Sequence, residues 1–244
     1  MNKILVIGGG AAGMMAAIYA AQGGNEVHLY EKNEKTGKKI YITGKGRCNL
    51  TNSSDMDTLI ASVQRNKKFL YSAFYGYDNT AVMDFFEQYG CRLKTERGNR
   101  VFPVSDHASD VTAALTAAMK RYGVTVHLDC KVSGLVTEPC ANPQNDDTKG
   151  SKHSFDRMIT GIRLADGRII NADRVILATG GVSYPSTGST GDGHRMAEDT
   201  GHHMVAMCPS LVPVETAESY AKELQGLSLR NVEVSVFYRS KLIY

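Results

Sequence analysis

A chain of 244 residues, 42% hydrophobic and 22% charged, can bury one large domain, or one domain and part of a second, without disulfides or a structural metal. Its formal net charge of +3 is too small to argue for nucleic acid or an anionic membrane. Its five cysteines, Cys48, Cys91, Cys130, Cys140 and Cys208, form no C-x-x-C pair, which excludes zinc ribbons and thioredoxin-like redox motifs.

Residues 4–7 form a continuous apolar run, as a buried parallel strand requires. Gly8 to Gly13 follow, then an Ala- and Met-rich helix over 11–22 that ends at Gly23-Gly24. Residues 26–30 read as a second strand with Glu31 at its end, completing a βαβ unit. The glycines also break the uncharged stretch from Ile4 to Ala21, so neither a signal peptide nor a membrane helix is expected there. A cytoplasmic protein with reduced thiols is the expectation. Residues 37–53 suggest a long functional loop. Helices are predicted over 57–65, 80–89 and 110–122, the last two stopped by Gly90 and Gly123. Strands follow at 124–128, 131–137, 159–165 and 168–172, the last pair joined by Asp166-Gly167, with a polar loop over 142–156. Residues 174–178 are another buried strand running into Thr179-Gly180-Gly181. Near the end, Val232, Val234 and Val236 alternate with polar residues, which predicts a half-buried strand.

Gly8-x-Gly10-x-x-Gly13 is a weak signal alone, but here it follows a strand and opens a helix, with an acid ending the next strand. Gly8 permits the tight turn, Gly10 lets backbone approach a pyrophosphate, and Gly13 lets the helix pack against the strand. The helix start, including Ala11 and Ala12, offers free N–H groups and partial positive charge to phosphates. Glu31 can accept hydrogen bonds from ribose hydroxyls and would repel a 2′-phosphate. The competing reading is a plain glycine turn. The motif does not separate FAD from NAD.

Three further segments carry a family resemblance: Glu31-Lys32, the run T-G-K-G-R-C-N-L-T-N from Thr43 to Asn52, and Val175 to Gly181. Together with Arg100-Val101-Phe102-Pro103 and the stretch from Tyr184 to Gly193, they resemble bacterial NAD(P)/FAD-dependent oxidoreductases of the aminoacetone oxidase-like type, a group with bile-acid-reductase-like members. Matching segments run from residue 1 to about Leu229. The resemblance implies FAD in an extended pose, with Gly8, Gly10, Ala11, Ala12 and Gly13 at the pyrophosphate and Glu31, beside Lys32, at the adenosine ribose. It implies that Val132 contacts adenine through its backbone. Lys38, Lys39, Gly44, Gly46, Arg47, Cys48, Asn49 and Thr51 would lie along the flavin side, and Thr179, Gly180 and Gly181 would also contact the cofactor.

The loop has a reading of its own. Four cations (Lys38, Lys39, Lys45, Arg47) and three glycines can aim charge and N–H groups at an anion, against the alternative of a solvated basic loop. It is not a Walker A loop, because Gly46 stands where Ser or Thr is required. Cys48 has no neighbouring cysteine to pair with, so a small pocket-lining residue is the better reading. His202-His203, His107 and His194 carry no metal signature, and no metal is expected. Tyr184 and Arg100 are candidates to face a substrate; no catalytic acid or base is identified.

The expected fold is α/β: a Rossmann-like FAD-binding domain over 1–190, with a doubly wound, mostly parallel sheet and a β-meander crossover. The start of an inserted β-rich domain is expected over 191–244. The expected function is hydride transfer between flavin and either NAD(P)H or a small organic substrate. With one glycine fingerprint there is no second Rossmann domain for nicotinamide, so NAD(P)H would bind only transiently. Neither nucleic acid nor membrane is an expected partner, and oligomeric state is unreadable. Two rivals stand beside this reading: an NAD-dependent dehydrogenase, and a non-catalytic or residual FAD-binding fragment. The second arises because members of the group continue past the position of Tyr244 with a glycine-rich segment that closes over FAD, which makes this chain read as truncated and weak in FAD retention.

Overall fold

A computed structural model describes residues 1–140, 157–209, 215–229 and 231–243. They fall into two units, Met1–Met204 and Val205–Tyr244. The predicted polar loop over 142–156 lies outside the described residues.

The first unit opens with β1 (Lys3–Ile7), α1 (Ala11–Gln22), β2 (Glu26–Tyr30), a 3-10 segment (Ile40–Gly46), β3 (Thr51–Asn52) and the helices α2 (Met56–Ala61), α3 (Lys67–Gly76) and α4 (Asn79–Gln88). It continues with β4 (Leu93–Glu96), β5 (Arg100–Pro103), α5 (Ala108–Arg121), β6 (Thr125–His127), β7 (Val132–Pro139), β8 (Arg157–Leu164), β9 (Ile169–Asn171) and β10 (Arg174–Leu177). A 3-10 turn (Pro185–Thr187) and α6 (Asp192–Asp199) close it.

A parallel sheet in the order β10-β1-β2-β6 is its centre. Successive side chains of β1 point to opposite faces, as strand geometry dictates. Ile4 and Val6 join Met14, Ala17 and Ile18 of α1 and the apolar stripe of α5: Val111, Ala114, Leu115, Ala118 and Met119. Leu5 and Ile7 face the other way, onto Val132, Ile162, Leu164 and Met196. Both faces are therefore buried, which is why β1 shows no polar alternation.

The expectation of a doubly wound sheet needs correcting. Crossover helices cover one face; the other carries the antiparallel meander β7-β8-β9 and the short α6. The chain returns from β6 to β10 through the meander, so no crossover helix covers that face among the described residues. A further small antiparallel sheet, β3-β5-β4, escaped the sequence reading because its strands are too short to show a period. Helix α3 escaped it because none of its residues is buried; Phe69, Tyr71 and Tyr75 are exposed.

In the second unit are α7 (Tyr220–Glu223) and a hairpin of β11 (Phe237–Tyr238) with β12 (Lys241–Leu242). The half-buried strand predicted at Val232, Val234 and Val236 does not form, and all three are exposed. Alternation makes a strand only where an apolar layer receives one face, and every described residue from Val205 onward is exposed. Among the described residues no helix is long and apolar enough to cross a membrane.

Ile162 is 0% exposed at the centre of the meander face. Ile162→Ala should cost about 2–5 kcal/mol in urea unfolding. A loss below about 1 kcal/mol would mean that the meander is not part of the sheet's core.

Candidate dinucleotide-binding site

The cleft opens at the carboxyl ends of β1, β2 and β10, where the connections from β1's two neighbours diverge. Open parallel sheets bind ligands at such a switch point. It has a volume of about 610 Å³. Gly8 turns the chain with φ +106°, and a Cβ there would meet Ala178 O at 2.5 Å. A Cβ on Gly13 would overlap Gly8 O, so only glycine lets α1 start this close to β1. Gly10 has open space on its side-chain face. As the N-cap of α1 it supplies no side-chain hydrogen bond, which leaves the first-turn N–H groups of Ala11 and Ala12 at the cleft.

Glu31 is buried, and three N–H donors hold its carboxylate. Gly9 N donates to Oε2 at 2.6 Å, and Asn33 donates to Oε1 from its backbone N at 2.9 Å and from Nδ2 at 2.6 Å. Oε1 is filled by its two donors, whereas Oε2, with one, keeps acceptor capacity for a ligand hydroxyl. The adjoining cations turn across the cleft. Lys32 Nζ lies 2.8 Å from both Asp192 Oδ2 and Thr190 Oγ1, and this hydrogen bond holds the Asp192 carboxyl below its usual range. Lys39 Nζ donates to Ser183 O at 2.8 Å and to Ser189 Oγ at 2.6 Å. Residues 183–193 are thus strapped to residues 32–39. Lys38 pairs with Glu34 at 2.9 Å.

The loop that follows is built from left-handed residues. Gly44, Lys45, Gly46 and Cys48 have φ of +55°, +58°, +87° and +63°. A Cβ on Gly44 would meet Asn49 N at 2.5 Å, which explains why glycine stands there. Cys48 is buried and lines the cleft; burial pushes its thiol up, with only partial relief from a Thr43 hydrogen bond, so it stays a neutral packing group. Arg47 does not aim its charge at the cleft. Its guanidinium lies over the Phe102 ring at 4.0 Å, donates to Glu96 at 2.8 and 3.3 Å, and reaches Asp106 at 3.1 Å. Lys94 closes the group, 2.7 Å from Asp106. This ion cluster pins the loop to the β3-β5-β4 sheet, because the carboxylates outcompete any more distant anion.

The structure therefore sorts the expected residues. Gly8, Gly10, Ala11, Ala12, Glu31, Lys32, Lys38, Lys39, Cys48, Asn49, Val132, Thr179 and Gly180 line one cleft. Gly13, Gly44, Gly46, Arg47, Thr51 and Gly181 lie behind or beside its lining, where Gly13, Gly44 and Arg47 shape the backbone. Tyr184 and Arg100 are exposed and outside it. Sequence reasoning missed Asn33, which turns back onto Glu31, Ser189 and Asp192, which meet Lys39 and Lys32 across the fold, and His194, which lines the cleft. His194 lines the cleft with Nδ1 buried and without a hydrogen-bond partner among the described residues, a situation that costs about 1–3 kcal/mol. Among those residues no group of three or more His, Cys, Asp or Glu is placed to hold a metal.

A helix start with free N–H groups, a glycine turn and a fixed carboxylate at a switch point define a dinucleotide-binding Rossmann domain. The family model for the HI0933-like protein Rossmann domain matches residues 2–237, and the chain belongs to that family. A 3-dehydro-bile acid delta(4,6)-reductase from Clostridium scindens is 36% identical over 219 residues, covering 88% of this chain and 48% of the relative. A ribosomal RNA dihydrouridine synthase from Escherichia coli is 26% identical over 247 residues, covering 98% and 56%. The chain thus spans about half the length of the curated relatives it matches. A solved 3-ketosteroid delta1-dehydrogenase from Sterolibacterium denitrificans shares the fold, with a TM-score of 0.58 at 15% identity, over 83% of this chain and 55% of that one.

Arg47 holds the Glu96 carboxyl below its usual range by hydrogen bonding, and Lys94 with Arg47 does the same for Asp106. Groups depressed on folding stabilise at neutral pH and lose that contribution as pH falls through their folded values. The melting temperature should therefore drop below the ordinary carboxylate range, and Glu96→Gln should flatten that drop while lowering stability at neutral pH. Parallel pH profiles for the two proteins would contradict a role for the cluster.

Proposed function

We propose that this cleft binds FAD and that the chain forms the nucleotide domain of a flavin-dependent reductase. The observation that carries the reading is the Glu31 carboxylate, buried and fixed by Gly9 and Asn33 beside the uncapped start of α1. The residues present fit the group. Open space at Gly10 admits a pyrophosphate, the N–H groups of Ala11 and Ala12 can donate to it, and Glu31 can receive ribose hydroxyls. Val132, Tyr30 and Met196 give that cleft an apolar lining suited to an aromatic base. The volume lies within the range of about 300–1,000 Å³ usual for cofactor pockets.

Bound FAD would supply hydride-transfer chemistry, with NAD(P)H as the transient donor. The chain's own part is to bind and to orient. Lys39 places positive charge at the cleft edge while holding Ser189, and Cys48 fills space without offering a thiolate. The relatives' names support a reductive reaction, one being a 3-dehydro-bile acid delta(4,6)-reductase and the other a ribosomal RNA dihydrouridine synthase. The more similar of the two, the bile-acid reductase, supports a small-molecule substrate. We read the substrate of this chain as a small unsaturated carbonyl compound.

A buried charge-assisted hydrogen bond contributes about 1.5–3 kcal/mol. Glu31→Ala should accordingly weaken FAD about tenfold to a hundredfold, as read by titration of flavin fluorescence. Wild-type affinity in that variant would remove Glu31 from the ribose site.

A further inference from the structure

The two oxygens of the Glu31 carboxylate are held unequally. Oε1 receives two donors, both from Asn33: the backbone N at 2.9 Å and Nδ2 at 2.6 Å. Oε2 receives one, Gly9 N at 2.6 Å. A carboxylate oxygen carries two lone pairs, so Oε1 is filled and Oε2 is open to one more donor. A ribose presents two neighbouring hydroxyls, and a carboxylate with room on both oxygens can take both. Glu31 has room for one while the Asn33 amide stays in place.

That amide is itself fixed. Its Nδ2 also faces Thr187 O at 3.4 Å, and Lys38 Nζ lies 3.4 Å from its Oδ1. Turning the amide over would set its oxygen against the Glu31 carboxylate and its NH2 group against the Lys38 ammonium, so only one orientation satisfies every neighbour. Gly188 closes the remaining side. It takes φ +101°, and a Cβ there would meet Asn33 Nδ2 at 2.8 Å. Asn33 and Gly188 both line the cleft beside Glu31.

We propose that Asn33 is a positioning residue that sets how many ribose hydroxyls the site takes. By filling Oε1 it makes Glu31 hold one hydroxyl of the adenosine ribose, through Oε2, and not both. The inference rests on the reading of the cleft as an FAD site with the ribose at Glu31. A residue that only supported the fold would not distinguish one ribose hydroxyl from the other. Dependence on each hydroxyl therefore separates positioning from packing.

The test titrates the 244-residue chain, by flavin fluorescence, with FAD and with two analogues that carry 2′-deoxyadenosine or 3′-deoxyadenosine in place of adenosine. One analogue should bind at least about tenfold more weakly than FAD, the effect of one lost charge-assisted hydrogen bond, and the other within about threefold. Asn33→Ala removes Nδ2 and opens Oε1, so both analogues should then bind about tenfold more weakly than FAD. Asn33→Ser, with a side chain shorter than the amide, gives the same readout if the alanine variant folds poorly. Comparable losses for both analogues in the wild-type chain would overturn the proposal, and so would variants that keep the one-sided dependence. FAD binding with no loss for either analogue would remove the ribose from Glu31 and the proposal with it. Failure of the wild-type chain to bind FAD at all would instead overturn the reading of the cleft, before any analogue is compared.

Discussion

One buried hydrogen bond, from Gly9 N to Glu31 Oε2 at 2.6 Å, joins the turn after β1 to the end of β2. It works only because the backbone on both sides is forced close. Gly13 lets α1 start against Gly8 O, and Gly8 itself turns with a positive φ beside Ala178. A side chain at either glycine would push the helix start away from the sheet and lengthen the Gly9–Glu31 contact. The same bond aligns a carboxylate and the uncapped N–H groups of α1 along one cleft. The site is thus a consequence of close packing at the switch point, and the core residues of β1 hold it there from both faces.

Around that centre, charge is used for fastening. Lys32 and Lys39 reach across to Asp192, Thr190, Ser183 and Ser189, closing residues 183–193 over the edge of the cleft. Arg47, Lys94, Glu96 and Asp106 form a second fastening that fixes the loop carrying Cys48 and Asn49. Exposed ion pairs contribute little to stability one at a time. Their effect here is geometric, since they hold left-handed residues such as Lys45 and Cys48 in conformations that a free loop would avoid.

The parts of the fold that were legible in the sequence are those whose cause is local. The bounds of α1 and β2 follow from an apolar run, a glycine turn and a C-terminal glycine pair. The Asp166-Gly167 hairpin is equally local: Gly167 takes φ +91° and Asp166 Oδ1 accepts from Arg168 N. The meander could be read as a crossover, but not the face it covers, because which sheet face a segment covers is a property of the whole topology. Val232, Val234 and Val236 had the right period with no layer to pack against. At the site, glycine spacing and the acid were visible. Asp192 was not, because it acquires its place from Lys32, far away in sequence, and Asn33 was not, because no pattern of residue types shows its turn back onto Glu31. Arg47 was read as a charge aimed at an anion; Glu96 and Asp106, which sequence does not place beside it, take that charge instead.

The central claim is that this Rossmann cleft is an FAD site, and competitive titration addresses it most directly. The wild-type chain would be titrated with FAD, followed by flavin fluorescence, and then challenged with excess NAD. Saturable binding of one FAD per chain that NAD does not displace is the result expected from a cleft built around Glu31 and the start of α1. Absence of saturation, or displacement of FAD by NAD at comparable concentration, would contradict it and return the fingerprint to a nicotinamide dinucleotide or to a bare glycine turn.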